Sequence, residues 1–529
     1  MNLGIEPVHY DYLTCLEDSI VGVAEWANYN YELIFSEDWY FIFRPETGQS
    51  LGSSLSIPNN DIIKKLDRYH GIKIVSKTVP PQKLVEKIKR QLKKQLPIMV
   101  SIDSYRCPWD WNYQRRHFYH YFLIIGVNDE EDFYYCDRFF KASGIISKER
   151  LLEGFLGEYK VFKFKGKEKI PVNWSKILAT TLNRLKNGNG ELNAFDSMRC
   201  FADKLAGLTD LQSEVRGHED FLFGAPLIKN LEAITYGRRR FAKLLTYFAA
   251  ETGLNPLNEI ANHLVTAASQ WANIRAMLTK YAFQKDIADK NRVVIKIREV
   301  AAWEETVSGQ LYQIYQKNTA TTGYFSNRHI ITNKLDTENI TLLTNEFLFI
   351  DLTPHLNNKA FGEEISPDCP ANLMGTGTYL LKENFPSNQE TIWEIKEMKF
   401  KLPWLYGTGK DNISCNGQKI AINPGIYQNI MILACAEWGN YTDKLIVHYV
   451  DGQTEQIELK ITDCLYKPLY GETVAWEGTA VEKINGRAQT RGRKVYLVAQ
   501  NYSTTRKGRI NYLQLPDVPG IHIFAITLG

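Results

Sequence analysis

Apolar and polar positions change rhythm twice along this chain. Up to about residue 165, one early helical stretch precedes short β-branched and aromatic runs, among them IMVSID (98–103), YFLIIGV (121–127) and YKVFKF (159–164). Their length and composition predict strands, and the mixture predicts an α+β domain. A Lys-rich stretch, KFKGKEKIP, follows, and helical spacing then takes over. Leu257, Ile260, Ala261, Leu264, Ala268 and Trp271 share one helix face, after a Gly253-to-Pro256 break that ends the preceding helix. The small polar residues NTATTGYFSN (318–327) interrupt that pattern, and beyond them short strands alternate with turns. INPGIYQNIMILACAEW (422–438) reads as a turn and a buried strand, and KLIVHYVDGQTEQIELKI (444–461) as a hairpin about Asp451 and Gly452. The expectation is a multidomain chain: an α+β domain over 1–168, a helical domain over 169–325 and an antiparallel β-sandwich over 326–529.

Composition narrows the class. At 529 residues the chain exceeds one ordinary hydrophobic core, so several domains are expected. Lys and Arg (63) nearly balance Asp and Glu (60), and the resulting +3 argues against a dedicated nucleic-acid binder. The eight cysteines are far apart, without a C-x-x-C pair or zinc spacing, and read as reduced thiols of a cytoplasmic protein. No stretch approaches the ~18 apolar residues of a membrane span, and the N-terminus lacks the basic start and apolar run of an export signal. The expected partners therefore include no nucleic acid and no membrane.

Cys15 opens a helical run in which Leu16, Ile20, Val23 or Ala24, and Ala27 recur on one face. Unpaired N–H groups and the positive helix end favour a thiolate there. Glu17 and Asp18 in the same first turn oppose that effect, so an activating imidazole is required. His120 stands directly before the strand YFLIIG, with His117 in reserve. Asp137, at the end of the next strand, could orient the imidazole, and Asp129 and Asp132 are substitutes. Taken singly, each residue reads as well as a small core cysteine or a hydrogen-bonded boundary histidine; in the order Cys, His, Asp they suggest a nucleophilic site.

These residues resemble the N-terminal domain of the butirosin biosynthesis protein H family, itself similar to the bacteriocin-processing cysteine peptidases. The likeness rests on Cys15 heading the first helix, LPIMVSIDSY (96–105), HYFLIIGVND (120–129), Asp137 and ISKERLLEGF (146–155). YGRRRFAKLLTYFAAE (236–251) and SQWANIRAML (269–278) resemble that family's helical part. The resemblance implies a papain-like cysteine-peptidase fold. It also implies transfer of an acyl or aminoacyl group from a carrier-protein thioester, through acyl-Cys15, to a small amine, for which a sugar-containing acceptor is one option. No cofactor is implied beyond the phosphopantetheine that the carrier protein brings. His9 occupies the position, six residues before the cysteine, where the peptidases have a Gln oxyanion donor; Arg138 follows Asp137 where many relatives have Pro. The same site would serve a cysteine peptidase or amidase if water took the acyl group, and a chain with an inert site would be a binding module of a biosynthetic assembly.

Other features are open to two uses. QKLVEKIKRQLKKQL (82–96) reads as a basic amphipathic helix, either a solvated face or a dock for an acidic carrier protein. Arg238, Arg239 and Arg240 could bind a phosphate or pair with acids inside the bundle. The third domain resembles β-sandwich modules that accompany carbohydrate-active enzymes, with Trp404, Trp438 and Tyr441 as aromatics for stacking on a sugar or for packing.

Overall fold

A computed structural model describes residues 2–529 except 47, 59, 166–170, 189–191, 219–220, 285–286, 319–323, 327–346, 385–391, 403–408 and 485. The chain is multidomain, with an N-terminal α/β region, a helical middle and β-sandwich-like sheets at the C-terminal end.

A six-stranded antiparallel sheet organises the first region. Its strands run in the order Ile72–Thr78, Phe155–Phe164, Ile98–Asp103, Tyr119–Val127, Phe133–Asp137 and Ala142–Ile146. The central strands carry continuous apolar runs because both faces are covered. Met99, Leu123 and Ile125 join the core that holds Ile20 and Val23 of the helix Cys15–Trp26. Ile98, Val100, Phe122 and Ile124 pack with Leu84, Ile88 and Leu92 of the helix Pro81–Leu92. Alternation along the strands thus puts the Cys15 helix on one face and the basic helix on the other.

Long helices, Pro226–Thr252, Pro256–Gln284 and Ile287–Asn318, dominate the middle. Gly253 ends the first of them with φ +75, a left-handed conformation that glycine adopts without penalty, and Pro256 opens the next. These helices do not bury their apolar faces only against each other. One hydrophobic cluster runs from Ile5 through Trp39 and Phe41 to Trp271 and Leu311, joining the first region to the bundle. Its polar centre is Glu304, which pairs with Arg238 at 2.9 Å and accepts hydrogen bonds from Trp39 (2.7 Å) and Trp271 (2.8 Å), with both ionic side chains fully buried. Gly237 lies so near the loop before Trp39 that a Cβ there would sit 2.2 Å from the Asp38 carbonyl oxygen.

Two large sheets and a short hairpin, Trp393–Ile395 with Met398–Phe400, form the described C-terminal part. The larger contains Asn429–Ala436, Thr473–Ile484, Arg487–Ser503 and Ile521–Leu528; the smaller contains Lys419–Ile426, Tyr441–Tyr449, Thr454–Ile461 and Arg509–Gln514. Ile430, Ile432 and Ala434 face the core between the sheets, while Met431, Leu433 and Cys435 face a second core behind the larger sheet. That double burial explains the unbroken apolar run IMILACA. The hairpin turn has Gly452 at φ +82. Ala272 and Ala276 of the helix Pro256–Gln284 enter the inter-sheet core, and Lys280 of that helix pairs with buried Glu437 and donates to the Pro519 carbonyl at 2.6 Å. Tyr441 is core, Trp438 borders a cavity described below, and Trp404 lies outside the described residues, as does most of the 318–327 break.

Candidate active site

Thr14 caps the helix that begins at Cys15. Its hydroxyl accepts from Glu17 N at 3.4 Å, and the Glu17 carboxylate returns to Thr14 N at 2.9 Å. Cys15 therefore sits at the first helical position and is partly exposed, whereas Cys107 and Cys136 are buried near the same sheet. Burial pushes the Cys136 thiol up to about 12, and it raises Cys107 further. All eight cysteines are free.

The two first-turn carboxylates are neutralised by groups that the sequence did not pair with them. Glu17 is met by Arg240, which also donates to the Tyr12 carbonyl at 2.8 Å. Asp18 accepts from His9 at 2.5 Å and lies 3.5 Å from the Arg138 guanidinium. Arg138 also donates to Val8 O at 2.5 Å and to Glu25 at 2.8 Å, tying the N-terminal segment to the Asp137 strand end. The Arg238 to Arg240 run is thus engaged with acids, Arg239 taking Asp11.

His120 is buried at the start of its strand, where it pairs with Ile102 in register. Its Nε2 meets Asp137 Oδ2 at 2.6 Å, and Cys15 is close enough to act on its protonation. With Nε2 committed to the carboxylate, Nδ1 is the nitrogen left for the thiol. Burial pushes the imidazole pKa down, but the charge and hydrogen bond of Asp137, with a smaller contribution from Cys15, leave it well above the ordinary histidine range.

Asp137 is itself held from two sides. Oδ2 accepts from Trp109 Nε1 at 2.8 Å, and Oδ1 accepts from Phe140 N at 3.3 Å. Trp109 stacks on Tyr135 with ring centroids 3.8 Å apart, so its N–H is fixed in direction. Nothing in the sequence marked Trp109: it lies in the irregular CPWDW segment, and only folding brings it to Asp137. His117 instead pairs with Asp103 at 2.6 Å on the surface, while Asp132 accepts from Lys148 N and braces a turn.

A cavity of about 430 Å³ adjoins this cluster and is lined by all three parts of the chain. His9 and Phe139 wall it from the first region, Tyr236 and Arg275 from the helices, and Trp438 and Tyr466 from the sandwich. The link to the histidine runs through aromatic rings: Phe140 lies 5.1 Å from His120, Trp111 packs edge-on against Phe140 at 5.2 Å, and Tyr466 packs on Trp111 at 5.7 Å.

Comparison with known proteins accounts for two parts of the chain. Residues 14–138 match the family model of butirosin biosynthesis protein H, N-terminal, and residues 350–529 match an AziU2-like beta-sandwich domain. A search of curated proteins finds no match. Among the described residues no helix is long and apolar enough to cross a membrane. The segment that resembles butirosin biosynthesis protein H, N-terminal, thus contains Cys15, His120 and Asp137, and the segment that resembles an AziU2-like beta-sandwich domain follows the helices.

Proposed function

We propose that this protein is a biosynthetic acyltransferase with a papain-like site, in which Cys15 is the nucleophile, His120 its base and Asp137 the group that orients the base. The single observation that supports this most is His120, buried between a carboxylate on Nε2 and a thiol at a helix N-terminus. In the first step the proton already rests on His120, and the Cys15 thiolate attacks the carbonyl carbon of a carrier-protein thioester; the C–S bond to phosphopantetheine breaks, and the departing thiolate receives the proton from His120. An amine then attacks acyl-Cys15, the now neutral His120 takes its proton, and the amide leaves as the Cys15 thiolate is released beside the imidazolium. One thioester replaces another in the first step, so positioning supplies most of the catalysis there, and amide formation drives the second. His9, through the ring nitrogen not bound to Asp18, and the first-turn N–H groups of the Cys15 helix are the candidate oxyanion donors.

Transfer is favoured over hydrolysis by the aromatic walls of the adjoining cavity, which offer an organic acceptor a site separated from His120 by the Phe139 ring. The domain limits that suit this reading are 1–168, 169–325 and 326–529, and the cytoplasm is the compartment that suits its free thiols. Incubation with an acylated carrier protein should add the acyl mass to Cys15, and the adduct should be absent from Cys15→Ala. An adduct that persists in Cys15→Ala would reject the assignment. Release of free acid with no amide, across a panel of amines, would replace transfer by hydrolysis.

A further inference from the structure

The charges around the three-part cavity do not balance. Seven Arg and Lys side chains line it against four carboxylates, and every carboxylate is already engaged. Asp11 holds Arg239, Glu232 holds Arg275 at 2.8 Å, Glu482 holds Arg115 at 3.0 Å, and Asp463 accepts from the backbone N–H groups of Gly439 (2.8 Å) and Leu465 (2.9 Å). Lys483 is taken up by the Cys369 carbonyl. Arg491 lies 3.6 Å from Glu482 as well; Arg116 and Lys141 remain, and neither side chain makes a hydrogen bond or ion pair among the described residues. Their positions are pointed: Arg116 comes four residues before His120, and Lys141 four after Asp137. Both cations therefore stem from the two chain segments that carry the His–Asp pair.

We propose that the cavity takes a substrate bearing an anionic group, a phosphate or a carboxylate, that Arg116 and Lys141 neutralise, with the aromatic walls receiving the rest of the molecule. Guanidinium and ammonium groups left without acceptors beside an aromatic-walled cavity attract an anion over a neutral molecule of equal shape. The assignment of that anion to one half of the reaction rests on the acyltransferase reading: a phosphate would belong to the phosphopantetheine of the donor, a carboxylate to the amine acceptor.

Calorimetric titration of the full chain separates these cases, using 4′-phosphopantetheine against pantetheine and N-acetylphenylalanine against N-acetylphenylalaninamide. One charged probe should bind about tenfold more tightly than its neutral twin. That preference should vanish in Arg116→Ala/Lys141→Ala and survive in large part in Arg116→Lys, with thermal unfolding confirming that each variant is folded. A phosphate preference assigns the donor and a carboxylate preference the acceptor. No preference for either charged probe, or a preference unchanged in the double variant, would overturn the proposal. Binding of these probes needs no acylation of Cys15, so retained anion preference in a protein that never forms acyl-Cys15 would defeat the acyltransferase reading and leave the anion site standing.

Discussion

Two His–Asp pairs lie at neighbouring strand ends, and their bond lengths are the same. His117 meets Asp103 at 2.6 Å, and His120 meets Asp137 at 2.6 Å. Surroundings separate them. The His117 side chain is 72% exposed and stacks on Tyr105, whereas that of His120 is 5% exposed, wedged between Asp137 and Cys15 and flanked by Phe140. They also differ in which ring nitrogen is used: His117 binds its acid through Nδ1, His120 through Nε2. An ion pair in water is worth little and its ring can swing; a buried one, with its carboxylate held by Trp109 and Phe140, keeps the second nitrogen on the thiol. Reach to a carboxylate is common to both pairs; burial and a second partner are what set His120 apart, and on them the proposed role as base rests.

Substitutions can break that comparison. The largest effect is expected from His120→Ala, which should slow thioester acylation of Cys15 by about 10³-fold, measured by intact mass over time. Asp137→Asn should cost about 10²-fold, because the imidazole remains but loses the charge that orients it. It should also invert the titration of His120. Burial is then opposed only by the smaller contribution of Cys15, so the imidazole should lose its proton below ~6.5 in the variant and well above it in the native protein, as NMR of isotope-labelled histidine would show. A raised folded pKa contributes stability that is fully present below ~6.5 and is lost as pH rises through the raised value. The melting-temperature gap between native protein and Asp137→Asn should accordingly be wider at pH 6 than at pH 9; an equal gap would mean that His120 is uncharged in the fold.

Smaller changes sharpen the same contrast. Trp109→Phe removes one N–H donor from Asp137 and keeps the stacking, so a loss of about tenfold in acylation is expected. His117→Ala should leave the rate within about twofold, since its pair is solvated. A large loss there would show that the exposed pair takes part after all.

A different test concerns the buried node that joins the first two regions. Glu304→Ala leaves the Arg238 guanidinium buried without its counter-charge, and a destabilisation of about 3–5 kcal/mol should appear in chemical denaturation. If the bundle and the first region unfolded as separate units instead, two transitions would replace one.

Much of the architecture was legible as periodicity. The Gly253-to-Pro256 break, the hairpin at Gly452, the strand before Asp103 and the helix headed by Cys15 all follow from local spacing and turn chemistry, which neighbouring residues decide among themselves. The strand-start position of His120, the strand-end position of Asp137 and the resemblance to the butirosin family were also available, because they depend on order along the chain. Partnership across the fold was not. The sequence offered Glu17 and Asp18 as charges set against the thiolate, and only the tertiary structure brought Arg240, His9 and Arg138 to them. It offered three consecutive arginines without saying that each has a different acid, and a sandwich without saying that Tyr466 and Trp438 wall a cavity beside His120. The physical reason is one of range: periodicity and capping act over a few residues, whereas burial, charge pairing and cavity shape are set by segments hundreds of residues apart that meet only when the chain is folded.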